Sequence, residues 1–218
     1  MRESCGGPGR ATEGDPAKQS VTVTRMTKRE RSSAIAITAR AFWDDPLFNF
    51  FMPDLARQHR LGPTYFANNI DSCSRAGVVE IAHVDGTMAG VAAWLPPGAG
   101  TVMRPEYVVR LLRVLGRASN RRAAITLLRE VERHEPAADQ VFLSILACDP
   151  RLQGRGVASR LLASVLDRAD QRAAPVFLRT QRESNLAFYT RFGFSVTDLI
   201  DLPESPLVWT MTRQPRTA

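Results

Sequence analysis

The stretch Leu143 to Ala158 reads LSILACDPRLQGRGVA, and it constrains the chain more than any other part. An apolar run of strand character ends at Asp149-Pro150, then Gln153-Gly154-Arg155-Gly156-Val157-Ala158 leads straight into an amphipathic helix. Two glycines at a strand-to-helix turn let several backbone N–H groups converge on one point. The first helical turn adds its own unpaired N–H groups and partial positive charge. Together these make an anion cradle suited to a pyrophosphate. The rival is a dinucleotide-binding turn of the G-x-G-x-x-G type. That turn needs a third glycine where Ser159 stands, and an acidic residue at the usual distance after the next strand, which is not found here.

The helix after the turn carries Ala158, Leu161, Leu162, Val165, Leu166 and Ala169 at i, i+3, i+4 spacing, which predicts one buried face and leaves only the first turn for a ligand. Pro175 to Leu178 reads as a buried strand. In the segment Arg182 to Phe194, Ser184 is placed to cap a helix and Gly193 to end it. Asn185 and Tyr189 share one helix face, while Phe188 and Phe192 share another that suits the core.

Gln153, Gly156 and Ala158 occupy the fixed positions of a pattern that resembles the acyl-CoA signature of the GNAT acetyltransferase superfamily. The segment Asn185-x-x-Phe188-Tyr189-x-x-x-Gly193-Phe194 resembles that superfamily's second hallmark. Further likeness is to the puromycin N-acetyltransferase branch. It lies in Phe142 through Tyr189 to Trp209–Arg213, in His134-x-Pro136, and in Ala41-Phe42 with Asp45-Pro46. It covers roughly residues 21 to 214 and is strongest in the C-terminal half.

The resemblance implies an α/β (mixed α+β) fold of the acyl-CoA N-acyltransferase type. Its central mixed, mostly antiparallel sheet splays at the fourth and fifth strands, with helices on both faces. It implies acetyl-CoA as cosubstrate, with the pyrophosphate on Gly154, Arg155, Gly156, Val157, Ala158 and Ser159, beside Gln153. Pantetheine would run along Leu146, Ala147 and Cys148, near Asn185 and Tyr189. The implied reaction is direct acetyl transfer to the amine of a small molecule, with Tyr189 as general acid. A phenol of pKa about 10 stays protonated at neutral pH and can donate to a leaving thiolate whose thiol has a pKa of about 8.5. The backbone N–H of Cys148 would stabilise the oxyanion. Its thiol is not expected to act, because it ends an apolar strand with no histidine in sequence context. Ser144 can orient a water.

The base stays open among Glu135, Glu132, Glu80 and a chain of waters. For the acceptor, the candidates are Asp44, Asp45 and Phe48, in the aromatic loop from Asp44 to Pro53, and Arg179. Puromycin-type enzymes tend to read Leu-Glu-Thr where this chain has Leu178-Arg179-Thr180. Facing the acceptor, Arg179 would repel a cationic amine and favour an anionic acceptor such as an amino acid; facing solvent, it would be neutral. The competing reading is a non-catalytic acyl-CoA-binding domain that senses or scaffolds.

A chain of 218 residues suits one domain, taken as 20–214, behind a polar tail at 1–19 expected to be disordered. The net charge of +7 invites a nucleic-acid partner. The positive charge is dispersed arginine, with Lys18 and Lys28 the only lysines, so no such partner is expected. Cys5, Cys73 and Cys148 are scattered and odd in number, which fits a reducing cytoplasm rather than a disulfide framework. His59, His83 and His134 show no metal-ligand spacing, and no metal is expected. No run approaches the ~20 apolar residues of a membrane span, and no apolar signal core opens the chain. The oligomeric expectation is a monomer or homodimer.

Elsewhere, a first strand at Val21–Val23 and a helix capped by Thr27 and running to Trp43 are expected. A second helix spans about Leu55 to Arg75. Two strands at 77–84 and 87–95 meet at Asp85-Gly86, a strong hairpin signal. Two helices fill 105–133, with Tyr107 in the acceptor wall. A strand at 141–148 and a closing pair at 196–200 and 206–212 complete the sheet.

Overall fold

The computed structural model describes residues 20–99 and 121–216. The expected tail at 1–19 and the expected helix around Tyr107 lie outside the described residues. The described elements run β1 (Val21–Arg25), α1 (Arg31–Ala41), α2 (Pro46–Phe51), α3 (Leu55–Ala76), β2 (Val78–Val84) and β3 (Thr87–Leu95). They continue with α4 (Arg121–Arg133), β4 (Val141–Cys148), α5 (Val157–Asp170), β5 (Val176–Thr180), α6 (Leu186–Thr190), β6 (Ser195–Ile200) and β7 (Val208–Arg213). The seven strands form one sheet in the order β1-β2-β3-β4-β5-β7-β6. Every neighbouring pair is antiparallel except β4 with β5.

That parallel pair positions the site. Val141, Phe142 and Leu143 pair with Val176, Phe177 and Leu178, and the pairing stops there. On the other edge of β4, Trp94 faces Leu143 while Ala93 faces Ile145, so Ser144 is an extra, bulged residue. A bulge bends its strand and increases the local twist. From Ser144 onward β4 leaves β5, and Ser144 to Cys148 have no β5 partner. β5 continues through Arg179 and Thr180 against β7 alone. The splay expected from the resemblance is therefore present, and the bulge marks its start.

Apolar side chains alternate across the sheet and feed two cores. On one face, Val157, Leu161, Leu162, Val165, Leu166 and Ala169 of α5 pack on Leu143, Leu178 and Trp94. On the other, α1 and α3 cover Phe142, Ile145 and Phe177. A third cluster joins Phe51 of α2, Leu127 and Leu128 of α4, and Val208 of β7.

Several local expectations need correction. The buried face of α5 begins at Val157, four residues before Leu161; Ala158 is half-buried and turns toward the cleft described below. Thr27 does not cap α1. Its N–H and hydroxyl instead donate to the Glu30 carboxylate, at 2.8 and 2.6 Å. The aromatic stretch after Asp44 is a short helix rather than a loop. Asp45 caps it by accepting from the N–H groups of Leu47 and Phe48, both at 3.0 Å, with Pro46 in the first turn. Ser184 sits inside a 3₁₀ turn (Glu183–Asn185) and provides no side-chain cap. Tyr189 is buried, whereas Phe188 and Phe192 are half-buried, the reverse of the expected burial. Among the described residues, no group of three or more His, Cys, Asp and Glu side chains could hold a metal. No helix among them is long and apolar enough to cross a membrane.

Candidate functional site

The gap between β4 and β5 opens into a cleft of about 890 Å³. One end is the turn before α5. Gly154 and Gly156 have φ of +78° and +76°, in the left-handed region that glycine enters without steric cost. A Cβ on either glycine would meet nothing within 4 Å, so the space in front of the turn is open. The first intrahelical bond runs from the Arg160 N–H to the Gly156 carbonyl, at 2.9 Å. By helical geometry the N–H groups of Val157, Ala158 and Ser159 precede it and have no intrahelical acceptor. Gln153, Gly154, Gly156, Val157, Ala158 and Ser159 all line the cleft. Arg155 is exposed and outside that wall.

The turn is braced by a cluster that the sequence reading missed. The Asp149 side chain is 2% exposed and bonds to Arg151 (3.1 and 3.0 Å) and to Arg40 of α1 (2.6 Å). The Arg151 guanidinium, then Arg40, hold its carboxyl well below the usual carboxylate range despite burial. Asp149-Pro150 at a strand end is a readable cap signal, but Arg40 lies 109 residues away.

The unpaired edge of β4 forms the middle of the cleft. Ser144, Leu146 and Cys148 line it, while the Ala147 side chain is buried in the opposite core and its carbonyl turns toward Gly90 of β3, so Ala147 offers nothing to a ligand in the cleft. Ser144 is hydrogen-bonded with the buried Cys73 thiol, which burial pushes up to about 11. Burial, and then the Asp149 charge, push the Cys148 thiol up, which opposes thiolate formation. Tyr189 and Asn185 stand across from this edge. Burial pushes the Tyr189 phenol up to about 12, and its ring meets Phe188 and Phe194 at 5.2 and 5.8 Å. The Asn185 Nδ2 donates to the Thr180 hydroxyl at 3.0 Å, tying the start of α6 to the end of β5.

The far end is walled by Asp44, Asp45, Phe48, Phe51, Tyr65 and Arg179, among others. Asp44 is held by Arg182, which donates to its carbonyl at 2.6 Å and lies 2.7 Å from its carboxylate. Burial raises the Asp45 carboxyl even though two backbone N–H groups bond to it. Arg179 faces this end, with its guanidinium carbon 5.2 Å from the Phe142 ring centre and 5.4 Å from that of Phe177. Of the base candidates, Glu80 lies in the core on the α5 side, bonded to Trp94, Ser164 and Arg168. Glu132 is exposed on α4, and Glu135 stands beside Arg179. None of the three lines the cleft.

The arrangement presents an anion cradle, a strand edge with free backbone groups, a buried phenol and an aromatic end, all in one groove. The acetyltransferase (GNAT) family model matches residues 40–194. Solved structures share the fold. A Corynebacterium glutamicum protein described as histone acetyltransferase HPA2 and related acetyltransferase is 23% identical with a TM-score of 0.71, over 91% of this chain and 98% of that one. A Drosophila melanogaster polyamine N-acetyltransferase is 16% identical with a TM-score of 0.59, over 89% and 100%. The PaiA N-acetyltransferase of Thermoplasma acidophilum, solved in complex with coenzyme A, is 12% identical with a TM-score of 0.54, over 89% and 99%. With the family model covering well over half of its length, the chain belongs to the acetyltransferase (GNAT) family.

Proposed function

We propose that the protein, as one domain over residues 20–214, moves the acetyl group of acetyl-CoA directly onto the amine of a small molecule. The observation that carries this reading is the continuity of the cleft. It runs from the glycine turn, along the unpaired β4 edge, past Tyr189 and into a separate aromatic end. The cradle suits the pyrophosphate, with the N–H groups at the start of α5 as donors. The β4 edge offers backbone partners to the pantetheine amides. We assign the oxyanion contact to the Cys148 N–H, on the part of β4 that has no β5 partner.

In the reaction, the acceptor nitrogen attacks the thioester carbonyl carbon. A C–N bond forms, the C–S bond breaks, and the thiolate leaves with its electron pair. Tyr189 donates to that sulfur. A phenol near 12 is a weaker acid than a thiol of about 8.5, so it donates a hydrogen bond early and its proton only as negative charge develops. The proton lost by the nitrogen returns to Tyr189 through water, since none of the glutamates considered lines the cleft.

The aromatic wall, the likeness to the puromycin N-acetyltransferase branch and the polyamine acceptor of a structural neighbour support a small-molecule acceptor. Unpaired Cys73 and Cys148 accord with a cytoplasmic location. The test is release of free thiol from acetyl-CoA across a panel of amines, with Tyr189→Phe alongside wild type. The variant keeps the ring packing and loses the donor. Turnover should fall by about 10²–10⁴ with acetyl-CoA affinity unchanged. Turnover within twofold of wild type would remove Tyr189 from the mechanism.

A further inference from the structure

Arg179 is a mostly buried cation whose hydrogen bonds are incomplete. Its side chain is 12% exposed, and it lines the cleft. Nη2 donates to the His134 carbonyl at 2.9 Å. Its counter-ion, Glu135, stands at 3.7 Å, an ion pair longer than a well-formed hydrogen bond. Nε is buried with no partner. A buried cation is normally both paired and fully hydrogen-bonded, because desolvating it is costly. The rings of Phe142 and Phe177 hold the guanidinium in place without satisfying its N–H groups. Arg182, the neighbouring cation on the wall, is already committed to Asp44. Arg179 is thus a fixed positive charge at the acceptor end, with one long ion pair and an unfilled hydrogen-bonding capacity.

We infer that Arg179 selects the acceptor: the amine that is acetylated also carries a carboxylate, which docks on the Arg179 guanidinium. A planar guanidinium matches a planar carboxylate better than it matches a neutral amide oxygen. The same charge, in a poorly hydrated site, disfavours acceptors with a second ammonium group. This inference rests on the proposed transferase reading for its biological meaning, yet binding tests it separately from turnover.

The experiment uses matched acceptors of one chain length: an amino acid, its primary amide, and the diamine in which an ammonium replaces the carboxylate. Calorimetry on the coenzyme A-loaded wild-type protein should show the acid binding at least about tenfold tighter than the amide, with the diamine weakest. Arg179→Gln should erase that order, and Arg179→Lys should restore part of it. Coenzyme A affinity and melting temperature control for folding, and if the glutamine variant fails to fold, the wild-type series decides. An acid bound no more tightly than its amide would overturn the inference, whatever the turnover. Preferred binding of the acid with no acetylation of any amine would refute the transferase reading and leave only the docking of a carboxylate on Arg179.

Discussion

Replacing Gly156 separates the cradle from the fold. Its φ of +76° is a conformation that costs an L-residue about 1–2 kcal/mol. Its Cβ would meet nothing within 4 Å, so backbone strain is the whole expected cost to folding. For a chain of this size about 1 kcal/mol lowers the melting temperature by about 2–4 °C. Gly156→Ala and Gly156→Asp should both show a drop of this order. Only the aspartate places a negative charge at the start of α5. Against one pyrophosphate charge about 4 Å away, repulsion is about 1 kcal/mol in bulk water and about 4 kcal/mol near a protein surface. Affinity for coenzyme A should therefore fall by about fivefold to about 10³-fold relative to the alanine variant. Pantetheine, which has no pyrophosphate, should bind both variants alike. Calorimetry with the two ligands and a thermal melt of each variant measure all of this. Coenzyme A affinities within twofold of each other would refute the cradle assignment.

Gly90 of β3 meets a different constraint, since a Cβ there would lie 2.6 Å from Val157 Cγ1 and 2.8 Å from the Ala147 carbonyl oxygen. Gly90→Ala should cost about 1–3 kcal/mol through overpacking between the sheet and α5, read as a lower urea midpoint. Asp149→Asn should cost about 1–3 kcal/mol, because it breaks a buried, charge-assisted cluster that braces the turn. The Asp149 carboxyl has a lowered pKa in the fold, so its contribution is present above the unfolded carboxylate value and is lost as pH falls through the folded one. Wild type and the asparagine variant should therefore converge in stability in strong acid; a difference that stays constant from neutral pH into acid would contradict this.

What the sequence revealed was local. The hairpin at Asp85-Gly86, the glycine turn, α3 and the strand at 141–148 each carry their signal within a few residues, and each is present. The short helix α2 was readable too, because Asp45-Pro46 is a cap followed by a first-turn proline, but its run of aromatics masked the helical period. What escaped depends on distant partners. Ser144 is a bulge only because of its register against Ala93 and Trp94. Asp149 is a brace only because Arg40 reaches it from α1. Tyr189 is buried in place of Phe188 because α6 is five residues long, too short for periodicity to fix its inward face. The face of Arg179 followed from strand phase: it shares the side of Phe142 and Phe177 in the sheet, not that of Leu178.

Direct transfer from acetyl-CoA to an acceptor amine can be followed by mass spectrometry after incubation with isotopically labelled acetyl-CoA. With a panel of amines present, the label should appear on the acceptor nitrogen, one free thiol should be released per product, and the protein should carry no label. A labelled acetyl group on Cys148, or coenzyme A bound with no label reaching any amine, would contradict direct transfer.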